Sequence, residues 1–61
     1  MKTEFYEYEP GHNKLIKEVE GVLIPHLPRD ASVEIDDYVY TVLNYALIIH
    51  GDEVTANVLL K

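Results

Sequence analysis

The stretch YALIIHGDEVTANVLL, residues 45–60, decides the fold of this 61-residue chain. Apolar residues fill both of its halves, and the polar group His50-Gly51-Asp52-Glu53 divides them. If Gly51 and Asp52 form a two-residue hairpin loop, with glycine first as a type II′ turn prefers, the numbers of opposed residues sum to 103. One face of that hairpin is then apolar throughout: Leu43, Tyr45, Leu47, Ile49, Val54, Ala56, Val58 and Leu60. A slip of one residue destroys this sorting, so the stretch predicts a β-hairpin.

Two helices are the alternative for the same stretch. Asp36 or Asp37 could cap a helix that runs to His50, Gly51 could follow its end, and Asp52 could cap a second helix. The segment before the glycine is crowded with Tyr, Val, Ile and Thr, and the segment after it alternates with period two. Both features favour strands. We therefore predict the hairpin and keep a small all-α three-helix domain as the alternative.

The N-terminal half predicts one strand and one helix. KTEFYEYE (residues 2–9) is rich in aromatic residues and alternates, which indicates a strand, and charges on both faces place it near a sheet edge. From Lys14 onward the apolar residues recur at helical spacing: Leu15, Ile16, Val19, Val22 and Leu23. Pro25 ends this helix near Leu23 or Ile24. PHLPRDAS (residues 25–32) is expected to be a loop, and its PxxP pattern is weak evidence for a polyproline ligand.

SVEID (residues 32–36) predicts a short strand, with Asp36-Asp37 as its turn. The element order is then β-α-β-β-β. We predict a single α+β domain over residues 1–61, with an antiparallel-dominated sheet and one helix packed on one face. A chain this short buries only about 60% of its unfolded surface, and it has no cysteine for disulfides. Oligomerisation is the remaining common source of stability.

The charge balance excludes several classes of partner. Eleven acidic residues against five basic ones give a net charge of −6. Direct nucleic-acid binding is not expected, because no basic stripe is present to contact phosphates, and anionic membranes are disfavoured for the same reason. The longest apolar run is far too short to span a membrane. We expect a complete small reading frame, from Met1 to Lys61, in the cytoplasm.

A single helix can cover only one face of the predicted sheet, so the other face should need a partner. Its apolar and aromatic members are Tyr38, Tyr40, Val42, Ala46, Ile48 and Leu59. A monomer seldom exposes such a patch, and tyrosines suit an interface because the body is apolar and the tip polar. We predict that this face is an interface with a second copy, giving a homodimer, or with another protein.

The acidic residues predict a second contact surface, for a basic partner protein. The candidates are Glu4, Glu7, Glu9, Glu34, Asp36, Asp37, Asp52 and Glu53. Alternate residues on a strand lie about 6.6–6.8 Å apart, close to two base-pair rises of DNA, so aligned carboxylates could imitate phosphates. The spacing signal for such mimicry is weak, because these acids occupy both strand parities and cluster at turns.

No pattern in the sequence points to catalysis. Ser32 is the only serine and has no oxyanion-type glycine context, and the three glycines are scattered rather than gathered in a phosphate loop. His50 beside Asp52 and Glu53 is at most half of a metal site, so neither a metal nor another cofactor is expected. The predicted function is a non-catalytic protein–protein interaction module, a small acidic inhibitor or adaptor. A phage-type nucleic-acid mimic acting on a host nucleic-acid-binding machine is one form of it. The alternatives are an obligate structural or assembly subunit and, more weakly, a histidine/carboxylate metal binder.

Overall fold

In the computed structural model, residues 1–22 and 28–61 are described, and this part of the chain contains five β-strands and no helix. The strands are β1 (Lys2–Glu7), β2 (Lys14–Glu20), β3 (Ser32–Ile35), β4 (Tyr38–His50) and β5 (Glu53–Leu60). They form one sheet in the order β2-β1-β5-β4-β3, which curls into a nearly closed, barrel-like shape. The prediction of an α+β domain is therefore wrong, and so is the all-α alternative.

The hairpin predicted from residues 45–60 is confirmed. β4 and β5 pair antiparallel from His50↔Glu53 to Asn44↔Leu59 in the predicted register. Gly51 has a φ of 61°, which fits the first position of a type II′ turn, and Asp52 has no positive φ. The hairpin therefore forms where glycine permits the turn and the apolar face specifies the register.

The predicted register fails at one position, Leu43. The pairing shifts by one residue there, so Val42, not Leu43, opposes Leu60. The extra residue is a β-bulge, which reverses the face of every residue before it. Val42 consequently points into the core and is fully buried, although the sequence assigned it to the opposite face.

The segment predicted to be a helix is the strand β2, and a second bulge explains the error. β2 pairs antiparallel with β1, and the register shifts at Ile16. In a regular strand Ile16 and Val19, three residues apart, would face opposite sides. The bulge turns both toward the core, where they pack against buried residues. A spacing of three residues on one face thus arises from a bulged strand as well as from a helix.

The two remaining strand predictions are confirmed, with one correction to their placement. β1 and β3 lie within the predicted segments, and Asp36 and Asp37 form the turn after β3. β1 is not near an edge, because it pairs with β2 on one side and runs parallel to β5 on the other. The predicted helix end, at Leu23 or Ile24, lies outside the described residues. The PxxP segment, residues 25–28, is described only at Pro28.

The core lies inside the curled sheet and is small. The buried apolar residues are Phe5, Val42, Ala56, Val58 and Leu60. Half-buried residues from the two edge strands, such as Val19 of β2 and Val33 of β3, pack against this cluster. Thr3 is also buried, and its hydroxyl donates a hydrogen bond of 2.6 Å to the carbonyl of Gly21. The core therefore joins all five strands without a covering helix.

Candidate protein interaction surface

Strand β4 is much longer than the strand that covers its outer edge. β3 pairs only with the beginning of β4, from Tyr38 to Thr41. Residues 30 and 31 extend the contact by one position, because Val42 donates to the carbonyl of Ala31 and accepts from the amide of Asp30, both at 2.9 Å. Beyond this point no described residue pairs with that edge. We call residues 44–50 the uncovered segment of β4.

The uncovered segment is exposed, and between Asn44 and His50 at its ends its side chains are apolar or aromatic. Leu47 is 52% exposed and Ile49 is 65% exposed, although both lie on the face of the sheet that holds the core. Ile48, on the opposite face, is 43% exposed. β4 contains no Lys, Arg, Asp or Glu from Tyr38 to His50. The segment therefore has exposed side chains on both faces and carries no formal charge, and no residue in the described part of the chain pairs with its outer edge.

The bulge at Leu43 divides the predicted interface between the two faces. Val42 is fully buried and Tyr40 is half-buried against the core, on the same face as Leu60. Ala46 and Ile48 lie on the opposite face and are exposed. The structure thus removes Val42 from the surface, whereas two other predicted residues stay accessible beside each other.

The last two predicted interface residues are Leu59 and Tyr38, which lie in different places. Leu59 is half-buried and shares the face of Ala46. Tyr38 is 70% exposed at the start of β4, directly after the Asp36-Asp37 turn. The structure brings together Ala46, Ile48 and Leu59, and it leaves Tyr38 apart from them.

Sequence reasoning missed the exposed residues on the core side of the uncovered segment. The sequence assigns Tyr45, Leu47 and Ile49 to the core because they oppose apolar residues of β5 on one face of the hairpin. A usable signal was present, since the strand predicted before the Asp36-Asp37 turn is too short to cover all of β4. The difference in length between β3 and β4 therefore indicates this exposed surface, which composition alone does not reveal.

A cleft of about 300 Å³ lies beside the uncovered segment. Its lining includes three asparagines, Asn13, Asn44 and Asn57. The Oδ1 atom of Asn57 is buried and accepts no hydrogen bond within the described part of the chain. Asn44 accepts a hydrogen bond of 3.1 Å from the guanidinium of Arg29. Amide groups of this kind can bind the polar groups of a protein partner, such as its backbone.

Several of the predicted acidic residues gather at the end of the molecule where β1 begins and β2 ends. The ammonium of Lys2 lies 3.5 Å from a carboxylate oxygen of Glu4 and 3.7 Å from one of Glu18. The carboxylates of Glu18 and Glu4 raise the pKa of Lys2 above its ordinary value, and Glu53 adds to the effect. Asp52 shares a surface depression with Lys2 and Glu53. This end is acidic around one lysine.

The other predicted acids lie elsewhere. Partial burial raises the pKa of Tyr40, and the charges of Glu7, Tyr38 and Asp36 raise it further, so Glu7 and Asp36 both lie within electrostatic range of Tyr40. Asp37 completes the same turn, and Glu34 is on β3 just before it. Glu9 lies between β1 and β2, 3.9 Å from the imidazole of His12. The eight predicted acids therefore form separate groups rather than one row.

The residues that could hold a metal are not gathered. His50 is exposed and opposes Glu53 across the hairpin. Within residues 1–22 and 28–61 there is no group of three or more His, Cys, Asp or Glu side chains that could hold a metal ion.

Across the same described ranges, no helix has both the length and the hydropathy needed to cross a membrane.

Comparisons with protein families, with curated proteins and with solved structures find no match to this chain.

Proposed function

We propose that this chain is a non-catalytic protein–protein interaction module that binds through the uncovered segment of β4. The observation that carries the proposal is the exposure of a neutral, largely apolar strand segment, residues 44–50, whose outer edge pairs with no residue of the described ranges. Sheet edges that remain unpaired and apolar are templates for pairing with another chain. Natural proteins use such pairing for recognition, with main-chain hydrogen bonds supplying affinity and alternate side chains supplying specificity.

The acidic groups give the module a second feature, attraction of a basic partner. The net charge of −6 is concentrated outside β4, at the Lys2 end and around the Asp36-Asp37 turn. Charges of one sign on the surface speed the approach of a partner of opposite sign. We therefore propose an inhibitor or adaptor that acts by occupying a basic protein surface. Its acids lie in separate groups, which favours protein contacts over imitation of a continuous phosphate row.

The cytoplasm is the proposed location. The chain has no cysteine, so it lacks the disulfides on which small secreted domains of this size commonly depend.

Photo-cross-linking in the native cell tests the proposed contact surface. A photoreactive phenylalanine replaces Leu47 in the uncovered segment, and in a matched control it replaces Leu15 on β2, which is 47% exposed against 52% for Leu47. We expect a protein adduct from the position of Leu47, and little or none from the position of Leu15. Equal adducts at both positions, or none at Leu47, would contradict the proposal.

A further inference from the structure

Within residues 1–22 and 28–61, the sheet has two edge strands and one further stretch of unpaired edge, and of these three only the last is unprotected. β2, at one edge, carries four charged residues, namely Lys14, Lys17, Glu18 and Glu20. β3, at the other edge, has only four residues, of which Glu34 is charged. Charged and very short edge strands are the usual protections against pairing with another chain. The uncovered segment of β4, residues 44–50, has neither protection.

We propose that a second copy of this chain occupies the uncovered segment, pairing β4 with β4 antiparallel about a two-fold axis. This inference rests on the proposed function and names the partner at that surface. The two five-stranded sheets then join into one continuous sheet. A two-fold interface brings the same patch of both copies together, so the patch must be complementary to itself.

The charge distribution favours a second copy as the occupant. Each copy carries −6, so two copies repel each other wherever acidic surfaces meet. β4, from Tyr38 to His50, carries no acidic or basic side chain other than His50. The segment itself offers no carboxylate to a basic strand, and the acidic groups that would attract a basic partner lie elsewhere on the surface. An uncharged strand suits the segment best, and its own copy supplies one.

The register of the pairing follows from the centre of the uncovered segment. Pairing is longest when the two-fold axis passes through the midpoint of residues 44–50, which is Leu47. Leu47 then opposes its own equivalent, and Tyr45 opposes Ile49 of the second copy. Aromatic and β-branched residues paired across strands stabilise a sheet. This face of the pair would lie beside the core of each copy.

The opposite face is also complementary in this register. Ala46 opposes Ile48 of the second copy, a small residue beside a large one. Asn44 opposes His50 of the second copy at each end, so the polar residues meet each other. No apolar side chain is forced against a polar one, and no two like charges are opposed. The side chains of the segment are therefore complementary to those of a second, antiparallel copy.

A charge-swap experiment tests the pairing. Sedimentation equilibrium should give the wild-type chain twice its 7.0 kDa mass. Leu47→Glu and Leu47→Lys should each sediment as monomers, because like charges then meet on the two-fold axis. An equimolar mixture of the two should regain the dimer mass, since opposite charges now meet. The matched controls Leu15→Glu and Leu15→Lys, on the charged edge strand β2, should remain dimeric.

A cysteine variant keeps the test decisive if the charged variants fail to fold. The wild-type chain has no cysteine, so Leu47→Cys introduces one thiol, which mild oxidation should join to its equivalent in the second copy. Directly opposed residues of paired strands lie within the Cα separation that disulfides require. Leu15→Cys should not form the same dimer under these conditions.

The outcomes separate this inference from the proposed function. A wild-type monomer, or a dimer that Leu47→Glu leaves intact, would overturn the inference. If wild type is dimeric but the Leu47→Cys variant forms no disulfide-linked dimer on oxidation, the inference is also overturned. If the photoreactive variant at Leu47 instead forms an adduct with a different protein, the second copy is the wrong occupant while the proposed function stands.

Discussion

At the scale of single residues, the turn between β3 and β4 is under backbone strain. Asp36 has a φ of 50° and Asp37 a φ of 73°, a conformation that glycine adopts more readily than aspartate. We expect Asp37→Gly to raise the free energy of unfolding by about 0.5–1 kcal/mol, the usual scale for relieving such strain. Chemical denaturation measures this change.

Asp52→Gly is the matched control for that substitution, because Asp52 also lies in a hairpin turn but has no positive φ. It should give no gain. A gain of equal size from both substitutions would show that strain at Asp37 is not the cause.

Leu60 is the largest of the fully buried side chains in the described core. Its side chain lies among Phe5, Val42 and Val58. Leu60→Ala should lower the free energy of unfolding by about 2–5 kcal/mol, because it removes buried methyl groups and leaves a cavity. The half-exposed Leu15 provides the control, and Leu15→Ala should cost less than about 0.5 kcal/mol. Equal losses would mean that the described core is wrong.

Tyr6 links the fold to pH. Burial raises the pKa of its hydroxyl, and the nearby charge of Glu4, to which it donates a hydrogen bond of 3.2 Å, raises it further. The folded state therefore holds this proton more tightly than the unfolded state. The stability that follows is present below the ordinary tyrosine pKa of about 10 and is lost as pH rises through the folded value.

Ultraviolet titration of phenolate absorbance checks this expectation. Tyr6 and Tyr40 should both ionise at higher pH than a free tyrosine, and Glu4→Gln should shift the titration of Tyr6 alone to lower pH. Glu34, on β3, is not among the charges that raise the pKa of Tyr6, so Glu34→Gln should leave this titration in place. A titration of Tyr6 at the ordinary pKa would contradict the buried environment described here.

At the scale of secondary-structure elements, the bulge at Leu43 allows a test by deletion. Because Leu43 is the extra residue, its removal leaves Val42 opposite Leu60 and Asn44 opposite Leu59 in an unbroken ladder. We expect the chain without Leu43 to fold cooperatively, with a loss of no more than about 2 kcal/mol. Circular dichroism with denaturant titration measures this.

Removal of Tyr45 is the control for that deletion. Tyr45 belongs to the regular ladder, so its loss places Asn44 opposite the buried Val58, on the face that holds the core. That variant should be markedly less stable than the chain without Leu43. Two equally stable deletions would exclude a specified bulge at Leu43.

These bulges also decide how much of the fold could be predicted from the sequence. The β4–β5 hairpin was predictable, because its apolar face is consistent in only one register. The strand β2 was not, because the bulge at Ile16 places Ile16 and Val19 on one face at a spacing that also fits a helix. Local propensity was ambiguous there, and pairing with β1 decided the outcome.

The same limit applies to the candidate site. Ala46 and Ile48 were predicted at an interface and are exposed, whereas Val42 was predicted there and is buried. The difference is the bulge between them, which periodicity alone does not reveal. The exposure of Leu47 and Ile49 depends on the short reach of β3, which is a property of the sheet and not of either residue.

At the scale of the whole molecule, salt separates the two kinds of association proposed for this chain. Two copies that each carry −6 repel each other, and salt screens that repulsion over about 10 Å at 0.1 M. Raising the salt concentration should therefore strengthen the dimer. A complex with a basic partner should respond in the opposite sense, with slower association at high salt.

Sedimentation at low and high salt measures the first effect. A dimer that weakens as salt rises would mean that charge attraction holds the copies together, which a neutral β4 interface does not allow. If association with a basic partner did not respond to salt, the acidic groups would play no part in the proposed function.

Amide hydrogen exchange along β4 tests the central claim most directly, namely that residues 44–50 form a sheet edge made to be paired. In the concentrated protein, every amide of this segment should be protected about as well as those of β5. Dilution to the monomer should expose alternate amides, whose N–H groups point away from β5. Fast exchange of those alternate amides at every concentration, with the cellular partner absent or present, would contradict the account.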